Sequence, residues 1–447
     1  MRDIKNITNR KRPSRLGIFF SRRTPTHNTF RTQEETRPAR RRLRVLLPVL
    51  ALLLAAYPII SLFVSARNAV SSVNTVPPIK IKPYAPLDPY KSFQLAADSL
   101  PSLYPSGESL LAPLPDGGTI TYSLDPVLQE RVKKVMESYQ VPYGVFFAVE
   151  PKTGRILAMT GHSALDPNWK RQSCFNVYPM ASLFKIITAA AALEDKKISA
   201  DTMFAYRGKL TSVNPKYWNV NPGRRNQQMS LTTAMGKSVN PVFGRLASDV
   251  VGRSSIMTSV ERFGFNQPIL PGTTFPASKA EPPQNDMELM LMGAGLGREV
   301  KISPFHAALM MAAIANDGVM MVPSLAQEIK NVKGETIFTM TPQTARRMVT
   351  SETSAQLARM LSTTVNSGTS RKAFHDRRGR PKFATVHIAA KTGTIDGKEP
   401  AGHYSWFAAY APIDDPKIAL VALVINQAKW RIKASYVGEQ ALEAFFK

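Results

Sequence analysis

Apolar and polar residues follow two different periods along this chain, and the change of period marks predicted elements. The run TITYSLDPVLQERVKKVMESY starts with the alternation of a short strand and continues with the spacing of a helix. Asp125 and Pro126 stand where such a helix would be capped and would begin. The stretch GVFFAVEPKTGRILAMTG holds two apolar runs around residues 151–154, whose composition favours a turn, so we expect a β-hairpin there.

Helical patterns dominate the middle of the chain, and strand-like runs return near its end. The stretch ASLFKIITAAAALEDKK is apolar on nearly every side and predicts a buried helix. Three strand-like runs come later: FATVHIAAKTGTI, YSWFAAYAPI and PKIALVALVIN. Strands at both ends with helices between them predict an α/β fold in which helices cover a mixed sheet. Further helices are expected at residues 231–237, 241–251, 304–316, 354–366 and 438–446.

A run of 22 uncharged residues, 45–66, directly follows the basic sequence RRRLR. Its length is close to the ~20 residues that cross a bilayer as a helix. Pro48 and Pro58 are accommodated more readily in a membrane helix than in a soluble one. A cleaved signal peptide is the alternative, but its apolar core would have only about 7–15 residues. We therefore expect a retained transmembrane helix at 45–66.

The 447 residues include 58 Lys plus Arg against 32 Asp plus Glu, a formal net charge of +26. Residues 1–44 are especially basic, and the positive-inside rule predicts that they form a cytoplasmic tail. The rest of the chain would then lie on the outer side of the membrane, which disfavours nucleic acid as a partner. Two interpretations of the tail stay open, a solvated segment near anionic lipid and a docking segment for a cytoplasmic partner.

Residues 67–118 contain nine prolines and little periodicity. This composition predicts a stiff linker or small stalk, although its apolar residues also allow a small packed subdomain. Residues 119–447 would form the large domain, and 44% hydrophobic residues in the chain are enough for a sizeable core. Cys174 is the only cysteine, which excludes an intramolecular disulfide and favours a packed thiol over a nucleophile.

Ser182 and Lys185 are the one Ser-x-x-Lys pair in the chain. Three residues apart on a helix, the two side chains share a face, so the amine can reach the hydroxyl. A serine hydroxyl needs a neighbouring base to become a good nucleophile, and a lysine is such a base when burial lowers its pKa. Taken alone the pair is a weak signal, and a chance surface pair is the alternative.

Two further short motifs occur in more than one copy, and their surroundings distinguish the copies. SVN begins at positions 72, 212 and 238. The copy at Ser238 and Asn240 lies between two predicted helices, a rigid place from which polar groups can face a cleft; a simple helix cap is the alternative for Asn240. KTG begins at Lys152, in the predicted hairpin turn, and at Lys391, where a strand-like run ends and the motif continues with a threonine.

In chain order, these motifs resemble the three signature motifs of penicillin-binding proteins and serine β-lactamases. Longer stretches agree, including YPMASLFKIITAAAALE, SLTTAMGKSVNPVFGRLA and SWFAAYAPIDDPKIALVALVIN. The resemblance covers roughly residues 119–447. Ala181 departs from the family's usual glycine before the nucleophile. The chain has no room for a glycosyltransferase domain between 66 and 119 and no R-G-x-I-x-D-R stretch, so it resembles a compact, monofunctional transpeptidase.

The resemblance implies a mostly antiparallel central sheet of about five strands covered by helices, and an acyl-enzyme mechanism. Ser182 would attack the carbonyl between the last two D-alanines of a peptidoglycan stem peptide, and Lys185 would take its proton. Ser238 would relay a proton to the leaving amine, and Asn240 would hold the substrate's amide. An amine from a second stem peptide would then resolve the ester and form a cross-link. β-Lactams would acylate the same serine as covalent inhibitors.

The resemblance also implies two binding features around the third motif. The backbone N–H groups of Ser182 and Thr394 would form the oxyanion hole. Lys391, with the hydroxyls of Thr392 and Thr394, would receive the substrate's terminal carboxylate, and Gly393 would also belong to the substrate-binding site. The family further implies a glycan polymerase or a cell-wall synthesis complex as a partner.

Three alternatives remain at this point. A β-lactamase must hydrolyse its acyl-enzyme, but the chain has no E-x-x-L-N stretch of the kind that class A enzymes use. A D,D-carboxypeptidase would use the same residues with water as the acceptor. A β-lactam sensor or cell-wall scaffold without turnover is an alternative of another class.

The six histidines are scattered and no Gly-rich cofactor loop occurs, so we expect neither a metal nor a cofactor.

Overall fold

The computed structural model describes residues 86–447, except 196–197 and 224. The predicted basic tail at 1–44, the predicted transmembrane helix at 45–66 and the first part of the predicted linker lie outside the described residues. Within the described part, none of the helices combines the length and the apolar character needed to cross a membrane.

The described helices and strands are numbered here in chain order. The helices are α1 (Pro89–Ser99), α2 (Pro126–Ser138), α3 (Phe184–Glu194), α4 (Leu231–Gly236), α5 (Asn240–Arg245), α6 (Arg253–Arg262), α7 (Asp286–Gly293), α8 (Pro304–Ala315), α9 (Ser351–Asn366), α10 (Arg371–Phe374) and α11 (Ala434–Phe446). The strands are β1 (Tyr104–Ser106), β2 (Ser109–Pro113), β3 (Thr119–Tyr122), β4 (Tyr143–Val149), β5 (Ile156–His162), β6 (Tyr178–Pro179), β7 (Met203–Tyr206), β8 (Gln227–Ser230), β9 (Lys301–Ile302), β10 (Val319–Met321), β11 (Ala326–Lys330), β12 (Thr336–Thr339), β13 (Thr344–Arg347), β14 (Ala389–Lys398), β15 (Ala401–Ala411) and β16 (Ile418–Asn426).

The central sheet has five antiparallel strands in the order β14-β15-β16-β4-β5. Every residue of β16 is buried, because helices cover both faces of the sheet. Alternate residues of β4 enter two different cores: Val145 and Phe147 pack on the side of α8, and Phe146 packs on the side of α2 and α11. The α/β fold with a mostly antiparallel sheet of about five strands under helices, implied by the family resemblance, is confirmed. The mixed sheet expected from the order of elements alone is wrong, because all four strand pairs are antiparallel.

The N-terminal predictions for the large domain also hold. The Asp125 carboxylate accepts hydrogen bonds from the backbone N–H groups of Val127 (2.8 Å) and Leu128 (3.0 Å), so it caps α2 as predicted. The predicted hairpin is the pair β4 and β5. Gly154 in its turn has a φ of +82°, a conformation that a glycine adopts without strain.

Two predicted elements differ from the structure. The predicted helix at 241–251 is two segments, α5 and a π-helical segment, Leu246–Val251. The predicted strand at 383–395 begins only at Ala389, which pairs with Tyr410. The partner strand ends at Ala411, because Pro412 has no N–H with which to continue the ladder.

Residues 89–118, within the range predicted as a linker or small stalk, form packed structure. Strands β1 and β2 join a second sheet in the order β1-β2-β3-β11-β12. From α1, Phe93 is fully buried and its ring packs against Phe175 and Phe305. This segment therefore shares its core with the large domain.

Candidate active site

The predicted nucleophile lies in a tight turn directly before α3. Ala181, Ser182 and Leu183 form one 3₁₀ turn, and α3 begins at the next residue. Ala181 has a φ of +53°, in the left-handed region that favours glycine. The turn leaves Ser182 partly exposed and places Lys185 in the first turn of the helix, on the same face.

Lys185 is fully buried and has three polar neighbours. Its Nζ lies 2.8 Å from Ser182 Oγ, 2.8 Å from Asn240 Oδ1 and 2.5 Å from the carbonyl oxygen of Ala294. None of these groups carries a negative charge. Burial lowers the pKa of Lys185 well below its ordinary value, and the charge of Lys391 lowers it further. Burial therefore favours the neutral amine beside a serine hydroxyl, which is the form that a general base requires.

The second motif lies in the loop between α4 and α5. Ser238 has a φ of +56°, and its backbone N–H donates to the carbonyl oxygen of Met235. The side-chain amide of Asn240 donates to the carbonyl oxygen of Ser212 at 3.1 Å, while its oxygen faces Lys185. Asn240 is the first residue of α5 and does not cap it, so the simple helix-cap interpretation is wrong.

The third motif lies on β14, the edge strand of the central sheet. Lys391 is fully buried, and its Nζ donates to Ser238 Oγ and to the carbonyl oxygen of Thr392, both at 2.8 Å. Burial lowers the pKa of Lys391 to about 7. The hydroxyls of Thr392 and Thr369 lie 2.5 Å apart. Lys391 therefore links the second motif to the third.

Gly393 brings β14 directly against the nucleophile turn. A Cβ added at Gly393 would lie 3.1 Å from the Cβ of Ala181 and 3.4 Å from the backbone nitrogen of Ser182. The lack of a side chain at Gly393 thus permits this close approach. Thr394, one residue later on the edge strand, lines the same cleft as Ser182.

The structure brings all eight predicted site residues to one cleft of about 420 Å³. Lys185 and Lys391 are buried beside it and contact Ser182 and Ser238 of the lining. The six other predicted residues line the cleft: Ser182, Ser238, Asn240, Thr392, Gly393 and Thr394. Further lining residues were not predicted: Thr211, Val213, Lys237, Leu296, Thr369, Ser405, Trp406, Lys433 and Ser435.

The most consequential residues that sequence reasoning missed are Ala294 and Gly295. The Ala294 carbonyl holds Lys185. A Cβ at Gly295 would lie 2.3 Å from the carbonyl oxygen of Ala181, so this glycine backs the nucleophile turn. Backbone contacts of this kind have no side-chain signature. Thr369 is different, because it stands in the stretch TVNSGTS, which resembles a block of the family, although the residue itself was not predicted to line the site.

Two other expectations have definite structural outcomes. The KTG at Lys152 lies in the turn between β4 and β5, and its exposed Nζ pairs with the Asp415 carboxylate at 2.6 Å. Cys174 is a buried thiol whose pKa is raised by burial, as the packed-thiol interpretation predicted.

In the described residues, no group of three or more His, Cys, Asp or Glu side chains has a metal-binding arrangement.

Comparison with known protein families matches residues 144–447, more than half of the chain, to the penicillin binding protein transpeptidase domain. The chain is 29% identical over 342 residues to the peptidoglycan D,D-transpeptidase PbpA of Mycolicibacterium smegmatis, covering 69% of this chain and 68% of that protein. It is 25% identical over 344 residues to the stage V sporulation protein D of Bacillus subtilis, covering 70% of this chain and 50% of that protein.

Solved structures agree at the level of the fold. The crystal structure of PBPA from Mycobacterium tuberculosis superposes with a TM-score of 0.62 at 24% identity, covering 74% of this chain and 83% of that chain. The penicillin G acyl-enzyme complex of the same M. tuberculosis protein gives a TM-score of 0.60 at 24% identity, covering 74% of this chain and 81% of that chain.

Proposed function

Because the chain belongs to the penicillin-binding protein transpeptidase family, we propose that it is a serine-type D,D-transpeptidase that cross-links peptidoglycan stem peptides. The observation that carries this proposal is the contact between Ser182 and Lys185. The two groups lie 2.8 Å apart, and burial lowers the pKa of the amine, which favours its neutral form. A neutral amine at that distance can take the hydroxyl proton as the oxygen attacks a carbonyl carbon.

Acylation would proceed in two steps at this site. Ser182 Oγ bonds to the carbonyl carbon between the two terminal D-alanines while its proton passes to Lys185. The C–N bond then breaks, and D-alanine leaves as an amine after receiving a proton through Ser238. The contact of Ser238 with Lys391 supports this relay, because a hydroxyl that accepts from a lysine can donate its own proton onward.

The charge that develops on the carbonyl oxygen would be stabilised by the backbone N–H groups of Ser182 and Thr394. Fixed donors of this kind are often the largest single contribution to catalysis. The proximity of β14 to the nucleophile turn at Gly393 supports this assignment, since it brings both backbone segments together. Asn240, which is fixed by Ser212, would orient the substrate's amide.

The terminal carboxylate of the stem peptide would bind to the third motif. Thr392, Gly393 and Thr394 all line the cleft. Lys391 is buried beside them, so it would act through its positive charge and through Ser238 rather than by open contact. β-Lactams carry a comparable carboxylate beside a strained amide and would acylate Ser182 in the same way.

The location of the enzyme remains part of the proposal. We infer that residues 45–66 anchor it in the bacterial cytoplasmic membrane, with residues 1–44 in the cytoplasm and the catalytic domain outside. The uncharged run after a basic segment supports this topology. A glycan polymerase or cell-wall synthesis complex is the proposed partner, because a cross-linking enzyme needs newly made strands.

Turnover of a synthetic stem peptide ending in D-Ala-D-Ala tests the proposal. With an added amine acceptor, mass spectrometry should detect release of D-alanine and an acceptor adduct, and Ser182→Ala should form neither. Release of D-alanine without an adduct would assign a D,D-carboxypeptidase instead. Acylation by penicillin without any turnover of stem peptides would assign a β-lactam sensor or scaffold.

A further inference from the structure

A second cavity lies at the opposite edge of the central sheet from the candidate active site. β14 forms one edge of that sheet, and β5 forms the other. The cavity has a volume of about 510 Å³ and is lined by Thr160 and Gly161 of β5, by the β1–β2 region and by α2. It shares no lining residue with the cleft at Ser182.

Arg171 lines this cavity with an unpaired cation. The residue is partly buried, and its enclosed Nε has no hydrogen-bond partner among the described residues. The ionisable groups that act on it are the Tyr122 hydroxyl and the Cys174 thiol. Burial raises the pKa of both, so both are neutral. A partly buried guanidinium without a negative partner is electrostatically costly, and an anion would relieve that cost.

The backbone that carries Arg171 is firmly held. A Cβ at Gly161 would lie 2.2 Å from the carbonyl oxygen of Lys170, so the chain at 170–171 lies directly on β5. Arg171 begins the 3₁₀ turn Arg171–Cys174, and Cys174 Sγ contacts the carbonyl oxygens of Phe146 (3.6 Å) and Thr160 (3.9 Å). The backbone from which the Arg171 side chain extends is therefore held in place, which favours specific binding.

We propose that this cavity binds the carboxylate of a short peptide that also carries an apolar side chain, with Arg171 as the anchor. A guanidinium binds a carboxylate through two parallel hydrogen bonds. Leu103, Leu110 and Tyr104 supply an apolar wall for the neighbouring side chain. Glu130 in the same lining makes a dianion such as phosphate a poorer ligand than a singly charged carboxylate.

The other charges of the lining leave the central role to Arg171. Lys133 pairs with Glu137 at 3.7 Å, and Glu130 pairs with Lys134 at 3.4 Å, each along the surface of α2. Lys170 is exposed and adds a second positive charge at the rim. Among the lining groups, a bound carboxylate would therefore stabilise the unpaired guanidinium of Arg171 most.

Calorimetric titration of the full chain in detergent with N-acetyl-leucyl-alanine tests the proposal. The free acid should bind, and the C-terminal amide of the same peptide should bind at least about tenfold more weakly. Arg171→Gln should weaken binding of the acid at least about tenfold. Lys133→Gln, a change in the same wall, should stay within about twofold. Lys391→Gln should retain this binding, because Lys391 belongs to the other cleft.

A further variant and three other results also test the peptide site. Arg171→Lys keeps the positive charge but cannot form two parallel hydrogen bonds, so it should bind the acid with intermediate affinity. This variant replaces Arg171→Gln if thermal melting shows that Arg171→Gln is unfolded. Phosphate binding more tightly than the acid would overturn the ligand class. Loss of binding in Lys391→Gln but not in the Arg171 variants would place the peptide in the catalytic cleft. Absence of binding to the wild-type chain up to the solubility limit would overturn the site. The titration requires no acylation of Ser182, so it is independent of the proposed function.

Discussion

Lys185 and Lys391 are both fully buried at one cleft, and each has a serine hydroxyl at 2.8 Å from its Nζ. Neither lysine forms an ion pair with an acidic side chain in the described part of the chain, and the charge of Lys391 lowers the pKa of Lys185. One lysine can thus serve as a neutral base while the other supplies positive charge.

The two KTG lysines should differ sharply in function. Lys391→Ala removes the contact with Ser238 and a positive charge at the cleft, so β-lactam acylation should slow by about 10²-fold or more. Lys152→Ala removes an exposed ion pair with Asp415 and should change the rate by less than about twofold. Stopped-flow acylation by a chromogenic cephalosporin measures both rates. A large effect at Lys152 with little at Lys391 would reverse the assignment.

The pH dependence of acylation should have two limbs. Acidification protonates Lys185 and removes the base, so the rate should fall as the pH drops through its lowered pKa. In the free enzyme Lys391 has a pKa of about 7, so its charge is lost as the pH rises past that value. The second-order rate constant for a carboxylate-bearing penicillin should then decline.

A penicillin methyl ester is the matched control for the alkaline limb. It lacks the carboxylate that the charge of Lys391 attracts, so its second-order rate constant should keep the acidic limb and lose most of the alkaline one. Identical pH profiles for the acid and the ester would show that Lys391 does not act on the carboxylate.

Gly295 should be required for an intact nucleophile turn. Gly295→Ala would place a Cβ 2.3 Å from the Ala181 carbonyl oxygen and 2.8 Å from the Ser182 Cα. We expect acylation to fall by at least about 10²-fold, because small misplacements of reacting groups are costly. Gly334 also has a positive φ, but a Cβ there would meet nothing within 4 Å. Gly334→Ala should therefore cost about 1 kcal/mol of stability and leave acylation unchanged. Equal acylation rates for the two variants would show that the nucleophile turn does not require glycine at position 295.

Ala181 should tolerate glycine unusually well. Its φ of +53° costs an alanine about 1–2 kcal/mol, which offsets the flexibility and the methyl group lost in Ala181→Gly. We expect the free energy of unfolding to stay within about 0.5 kcal/mol of wild type. Ala190→Gly, at a buried position within α3, should cost at least about 1 kcal/mol. Chemical denaturation compares the two, and similar losses would mean that the turn at Ala181 is not strained.

Much of this site could be predicted because acyl-transfer chemistry restricts residue types. The order of Ser182, Ser238 and Lys391 along the chain was enough to identify the family, and the family match confirms that identification. The helix α3 and the strand β16 were predicted from nearly continuous apolar runs, and both are buried almost throughout.

The features that sequence reasoning missed depend on tertiary contacts. The Ala294 carbonyl meets Lys185 across 109 residues of chain, and Asn240 donates to Ser212 across 28. No local pattern encodes such pairs, since any residue supplies a backbone carbonyl. The start of β14 at Ala389 depends likewise on where its partner strand ends.

Covalent labelling shows directly whether Ser182 is the nucleophile. The full chain is incubated with benzylpenicillin, and intact-protein and peptide mass spectrometry locate any adduct. Wild-type protein should carry one penicilloyl group, attached to Ser182. The Ser182→Ala protein, at equal thermal stability, should carry none. Equal labelling of both proteins, or an adduct at another residue of the wild type, would contradict it.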